Sequence, residues 1–407
     1  MALTYKHTKY ACYAGYIVQA IIVNFLPLLF AMFQTDFGIS VAKLGLLASV
    51  NFAIQLTVDL LGAKIADKAG YRAVMVTANF LAAAGLICLA FLPYVFKDPY
   101  AGLLISVIIY GIGGGLTEVL VSPMIEALPT EGKASSMSLL HSFYSWGQAG
   151  VILLSVLFFV TAGISRWRIL SLVWAVIPVL TAVLFLFVPI KTLDHDGKSV
   201  PVKKLFANKI FWLFFVLMIC SGAAEQGISQ WASLFAEKGL GVSKTLGDIL
   251  GPCCFALLMG AGRLFFGIKG DKIDLRKYIL LSGLLCIASY LLASVPGLFT
   301  DSMGLLSLIG CALCGLSVAI MWPGVLSLAA DNNPAGGTAM FALLALGGDI
   351  GCISGSGIVG TVSDASSLNI GILSAIIFPV LIVICITVLI KRPLNRTLPE
   401  IPGRSDD

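Results

Sequence analysis

Charge is scarce in this chain. Asp, Glu, Lys and Arg together make 12% of its 407 residues while hydrophobic types make 58%, too little polar surface to cover a water-soluble globule of that size. Histidine occurs three times, and neither H-E-x-x-H nor G-x-S-x-G is present, so the chain does not read as an enzyme. G-x-x-x-x-G-K-[ST] is absent too, which excludes nucleotide hydrolysis as an energy source, and no cofactor is expected. The ten cysteines, from Cys12 to Cys385, sit mostly within apolar runs where thiols pack as small hydrophobes. Neither disulfides nor a metal site are implied, and Cys311-x-x-Cys314 lacks a second pair. The net charge of +5 does not call for nucleic acid, because the placement of the basic residues explains it better.

What fills the chain instead is apolar runs long enough to cross a bilayer, roughly 20 residues each. Twelve are read, centred near Ile22, Ile54, Ala83, Gly113, Gly150, Ile177, Gly222, Ala256, Cys286, Leu316, Gly348 and Leu381. Turn-rich breaks such as Lys97-Asp98-Pro99 and Asp331-Asn332-Asn333-Pro334 separate them. The first run has no clear cleavage site behind it and is read as a retained span. With both termini placed in the cytoplasm, only Lys43, Lys97, Arg166, Arg168, Lys238 and Lys244 of the 26 basic residues fall outside. That bias is the positive-inside pattern, and it fits a multi-pass protein of the plasma or inner membrane.

The polar stretch 191–208 divides the chain into an N-terminal six-helix bundle, 1–190, and a C-terminal one, 209–407, with a short cytoplasmic tail. Asp67-Lys68 followed by Arg72 recurs as Asp271-Lys272 followed by Arg276, each pair after the second span of its half. The halves therefore read as duplicated, pseudo-symmetric units in parallel orientation.

Gly62, Asp67, Lys68, Gly70 and Arg72, between spans two and three, resemble the loop signature of the major facilitator superfamily, and Gly267, Asp271 and Arg276 are a degraded second copy. The resemblance implies the major facilitator fold, all-α with twelve transmembrane helices, and a gating role for Gly62, Asp67, Lys68, Arg72, Asp271 and Arg276. Within it, Gly111 to Gly115 with Glu118 and Ser122-Pro123, then His141-Ser142-Phe143 and Gly147, and Gly222-Ala223-Ala224-Glu225 with Trp231, are similar to the fucose permease branch of sugar:proton symporters. Ser122 stands where that branch usually has Asn, and span one carries Gln19 and Asn24 where fucose permease has an acidic residue. The resemblance implies that Glu118 carries the coupling proton.

An ionisable group at mid-bilayer costs at least about 2.5 kcal/mol, so each intramembrane carboxylate is a functional candidate. Glu118 reads either as a proton site or as a hydrogen bond fixing helix packing. Glu225 has Gln226, Gln230 and Trp231 close by, a combination of amides and a flat ring that suits sugars; Trp231 alternatively anchors the membrane interface. Asn51, Gln55 and Asp59 recur at helical spacing and form one polar stripe along span two that cannot face lipid. Asn51 and Gln55 are candidate ligands, whereas Asp59 is expected to pair with a base such as Arg263. Gln19, Asn24 and Gln148 are further ligand candidates, and His141 is either a proton shuttle or a packing histidine. Asp349 serves the cavity or a gate. Trp322, with Pro323, marks a kink beside the cavity. The glycine runs lie within spans and read as small-residue packing surfaces.

The activity expected is proton-coupled uptake of a small polar solute, a sugar foremost, by alternating access in a monomer embedded in lipid. Two alternatives stand beside it. One is a proton-driven efflux antiporter, though Gly147-Gln148-Ala149-Gly150 lacks the exporters' proline and paired glycines; the other is a solute sensor that moves nothing.

Overall fold

The computed structural model describes residues 3–129, 133–191, 202–269, 274–299, 304–332 and 337–391. Its regular structure is helical. Among the described residues, twelve helices are long and apolar enough to span a membrane: Tyr5–Asp36, Val41–Gly62, Tyr71–Val95, Pro99–Ile125, Leu139–Ala162, Ile164–Phe187, Lys209–Gly239, Lys244–Ile268, Leu275–Ser294, Gly304–Ala329, Met340–Ala365 and Leu368–Lys391. They are spans one to twelve, and each centre read from the sequence falls inside one. Being even in number, they return the chain to the side on which it began; that is the terminal side here, and the opposite one is the far side. Large apolar side chains such as Val173, Leu180, Leu281, Leu305, Ile377 and Ile384 are exposed, as lipid-facing residues must be. Residues 192–201 of the expected linker and Asp271 lie outside the described residues. After them the chain forms a short helix, Val202–Ala207, and Asn208 caps span seven by accepting from Ile210 N at 2.9 Å.

Glycine sets the closeness of helix packing. A Cβ on Gly113 would strike the backbone of Ala78 and Ala82, locking span four onto span three, and one on Gly351 or Gly355 would strike Ile219 or Ala223, locking span eleven onto span seven. Between the halves, span two packs on span eleven and span five on span eight.

Proline sets where helices break, and the broken ladders feed the centre of the molecule. Proline has no N–H, so the carbonyl four residues earlier loses its helical donor. Span one passes from α-helix, Tyr5–Asn24, through a 3-10 turn at Leu26–Leu29 to α-helix at Phe30–Asp36. Pro27 leaves Val23 O free, and Gln230 Nε2 of the other half donates to it at 3.4 Å. Span ten is interrupted between Val318 and Met321. Pro323 leaves Ala319 O free, and Arg263 Nε donates to it at 3.4 Å. Span seven breaks after Ser229, ahead of a π-turn at Phe235–Gly239, and span eight carries a π-turn at Ile249–Cys253 around Pro252.

The helix of span two continues to Ala69 and turns at Gly70 into span three, whose second residue, Arg72, is an anchor. Arg72 donates through Nη1 to the carbonyls of Phe185, at 2.9 Å, and Leu186, and through Nη2 to Val188 at 2.9 Å. A guanidinium thus caps the C-terminal end of span six, where carbonyls lack helical donors and the helix dipole is negative. Gly62 is buried against Val119, Lys68 is exposed, and Arg276 is half-buried at the start of span nine. The Asp67 side chain lies outside what is described.

Candidate functional site

A cavity of about 60 Å³ lies between the halves, room for about four to six waters at roughly 10–15 Å³ each. Its wall combines Tyr16, Gln19 and Val23 of span one, Phe52 and Gln55 of span two, Glu118 of span four, and His141 and Tyr144 of span five. From the other half come Glu225 and Gln226 of span seven, Arg263 of span eight, Trp322 of span ten, and Asp349 and Cys352 of span eleven.

On the N-terminal wall, Gln19 Nε2 donates to Glu118 Oε2 at 2.9 Å and to Gln55 Oε1 at 3.2 Å. The amides fit because residue 114 is glycine, where a Cβ would press on Gln19 Oε1 and Gln55 Nε2. Those two atoms are buried with no hydrogen-bond partner among the described residues, so one acceptor and one donor stand open beside the carboxyl. His141 meets Tyr16 edge to face at 5.2 Å.

On the C-terminal wall, Arg263 Nη2 donates to Glu225 Oε2 at 3.1 Å. This corrects the expected Asp59–Arg263 pairing. Asp59 instead lies beside Asp349, carboxyl to carboxyl across the halves. Arg263 Nη1 crosses to span five, donating to Ser145 Oγ at 3.0 Å and His141 O at 3.4 Å, and the guanidinium lies 6.0 Å from the Tyr144 ring. The Trp322 ring rests on Gly348, where a Cβ would overlap it.

Other sequence candidates make defined contacts. Asn24 Nδ2 donates to Ala20 O at 3.0 Å and Tyr144 OH at 3.3 Å. Asn51 is buried with its Oδ1 over Gly111. Gln148 Nε2 donates across the halves to Ser229 Oγ at 2.9 Å, and Gln230 Nε2 reaches Gln226 Oε1 at 2.9 Å as well as Val23 O. Trp231 is fully buried on the far side, wedged between Gly45 and Gly360 beneath Phe30, and donates from Nε1 to Ser356 O at 3.1 Å. Lys244 Nζ adds a bond to Leu28 O at 2.7 Å while paired with Asp248 at 3.1 Å. The Trp231 and Lys244 contacts join the two halves on the far side.

Tyr16, Phe52, Tyr144 and Cys352 were not singled out from the sequence. Helical spacing was the available signal: Tyr16, Gln19 and Val23 share a face of span one, as His141, Tyr144 and Gln148 share one of span five.

A membrane protein MosC from Rhizobium meliloti is 27% identical over 289 residues, covering 71% of this chain and 68% of its own. The crystal structure of a D-xylose-proton symporter superposes with a TM-score of 0.80 at 15% identity, covering 96% of this chain and 99% of that one, which establishes the fold. The family model of the Major Facilitator Superfamily matches residues 12–356, most of the chain, and with its twelve spans and central cavity the chain belongs to that superfamily of membrane transporters.

Proposed function

We propose that this transporter takes up a small polar solute, a sugar being the class that fits best, together with protons. The observation that carries the reading is the charge balance of the centre: among the described residues, Glu118, Glu225, Asp59 and Asp349 meet there, with Arg263 as the guanidinium among them. A low-dielectric site does not hold four carboxylates against one such cation, and protons supply the missing positive charge. Glu118 is the proton carrier in this reading, since Gln19 provides it a neutral hydrogen-bond donor while Arg263 is engaged by Glu225.

The open Gln19 acceptor and Gln55 donor suit a hydroxyl group, which both donates and accepts, and Tyr16, Phe52, Tyr144 and Trp322 offer flat faces to a sugar's C–H surface. The terminal side is taken as cytoplasmic, from the distribution of lysine and arginine. The Trp231 and Lys244 contacts between the halves on the far side support reading this arrangement as an inward-directed stage of alternating access.

A thermal-shift screen of sugars on purified protein identifies the solute, because a ligand that binds the folded state stabilises it by mass action. Glu118→Gln protein in proteoliposomes is then expected to lose accumulation driven by a pH gradient while keeping counterflow exchange. Intact uphill uptake by that variant rules out Glu118 as the carrier.

A further inference from the structure

Spans two and eleven form a seam between the halves that can be followed residue by residue. From the far side inward, Ala42 N donates to Asp364 Oδ1 at 3.4 Å, Gly45 faces Gly360, and Ser49 Oγ donates to Ile353 O at 3.3 Å; Phe52 then packs with Cys352. At the inner end of the seam, Asp59 meets Asp349. Both side chains are buried, at 7% and 2% exposure. Asp59 Oδ1 and Asp349 Oδ2 have no hydrogen-bond partner among the described residues.

Two carboxylates are not held together there as a dianion, because like charges at this range repel and both side chains are buried. With one proton between them, the O–H of one carboxyl donates to the other and the repulsion becomes a charge-assisted bond. We propose that Asp59 and Asp349 form a second proton-binding site, one that joins the two halves and keeps the far side closed while it is occupied. Hydronium in the water of the cavity, which Asp349 lines, delivers the proton: its O–H bond breaks as the carboxyl O–H forms, and water is left. On release of the proton the dianion pushes span two from span eleven, and the seam opens. Far-side closure therefore strengthens as pH falls. This rests on the alternating-access reading above.

Other ionisable groups face the pair. They are Tyr16 of span one, Glu118 of span four, His141 of span five, Glu225 of span seven, Arg263 of span eight and Cys352 of span eleven. Arg263 is tied to Glu225, so Glu118 and His141 are the rivals that any test must separate.

The test uses the full chain in lipid nanodiscs. Infrared spectra report the C=O stretch of a protonated carboxyl, and spin labels at Ser40→Cys and Ser366→Cys, with Cys88, Cys254 and Cys385 replaced by Ser, report the far-side distance against pH. The expected result is a protonated-carboxyl band present in the native protein and in Glu118→Gln and His141→Gln, but reduced in both Asp59→Asn and Asp349→Asn. In those two variants an amide donates to the remaining carboxylate, so the labels should stay close at every pH, losing a response that Glu118→Gln and His141→Gln retain. A band and a pH response unchanged in both Asp→Asn variants overturn the proposal. If both are also lost in Glu118→Gln, the pair is refuted and Glu118 as carrier stands. A far-side distance set by sodium at fixed pH identifies a cation site and overturns the proton assignment.

Discussion

Replacing Arg263 with Met tests the centre of the structure most directly. The side chain is 5% exposed and its partner Glu225 is 9% exposed, with 3.1 Å between Nη2 and Oε2. Arg263 also donates to Ser145 Oγ, His141 O and Ala319 O, so its loss strands a carboxylate and unties span eight from spans five, seven and ten. Removing one partner of a buried ion pair costs about 3–5 kcal/mol, chiefly because the other charge stays buried without compensation. Arg263→Met alone is expected to lose that amount. Arg263→Met with Glu225→Gln removes the stranded charge and is expected to regain about half or more of it, leaving the weaker cost of the neutral hydrogen bonds. Unfolding by SDS in mixed micelles, followed by tryptophan fluorescence, measures both proteins. With Glu225→Gln measured alone as well, a double-variant loss equal to the sum of the two single losses within about 0.5 kcal/mol means that the sites do not interact, and the pairing is refuted.

Two further outcomes follow from named contacts. Trp231→Ala empties the space between Gly45 and Gly360, with an expected loss of about 3–5 kcal/mol; in membranes it should make a Ser49→Cys thiol react with an impermeant reagent from the far side, and a thiol that stays protected contradicts the plug. Arg72→Ala uncaps the carbonyls of Phe185, Leu186 and Val188 and should cost about 1.5–3 kcal/mol of stability, the range for hydrogen bonds to a charged group. Arg72→Lys should recover only part of that, because a point charge lacks the guanidinium's planar fork. Unchanged unfolding with loss of counterflow exchange would assign Arg72 to a contact between the halves instead.

The sequence by itself settled the membrane class, the twelve spans and the superfamily. Each rests on local or periodic information: bilayer thickness converts directly into run length, and Gly62, Lys68, Gly70 and Arg72 are near neighbours in the chain. Gln19, Gln55, Glu118, Glu225 and Gln226 could also be picked out one at a time, because a polar group in an apolar run is costly wherever it occurs. Which of them meet was a different matter. Arg263 with Glu225 is set by how spans seven and eight pack within the C-terminal half, and Asp59 with Asp349 and Gln148 with Ser229 by how the two halves dock. That docking depends on glycines and prolines far from the partners: Gly114 admits the paired amides, and Pro27 and Pro323 free the carbonyls that Gln230 and Arg263 find. Helical periodicity states which residues share a face of one helix but not which neighbour that face will touch, so Trp231 reads in sequence as a ligand or an interface anchor, and its place against Gly45, Gly360 and Phe30 is set only once three spans close around it.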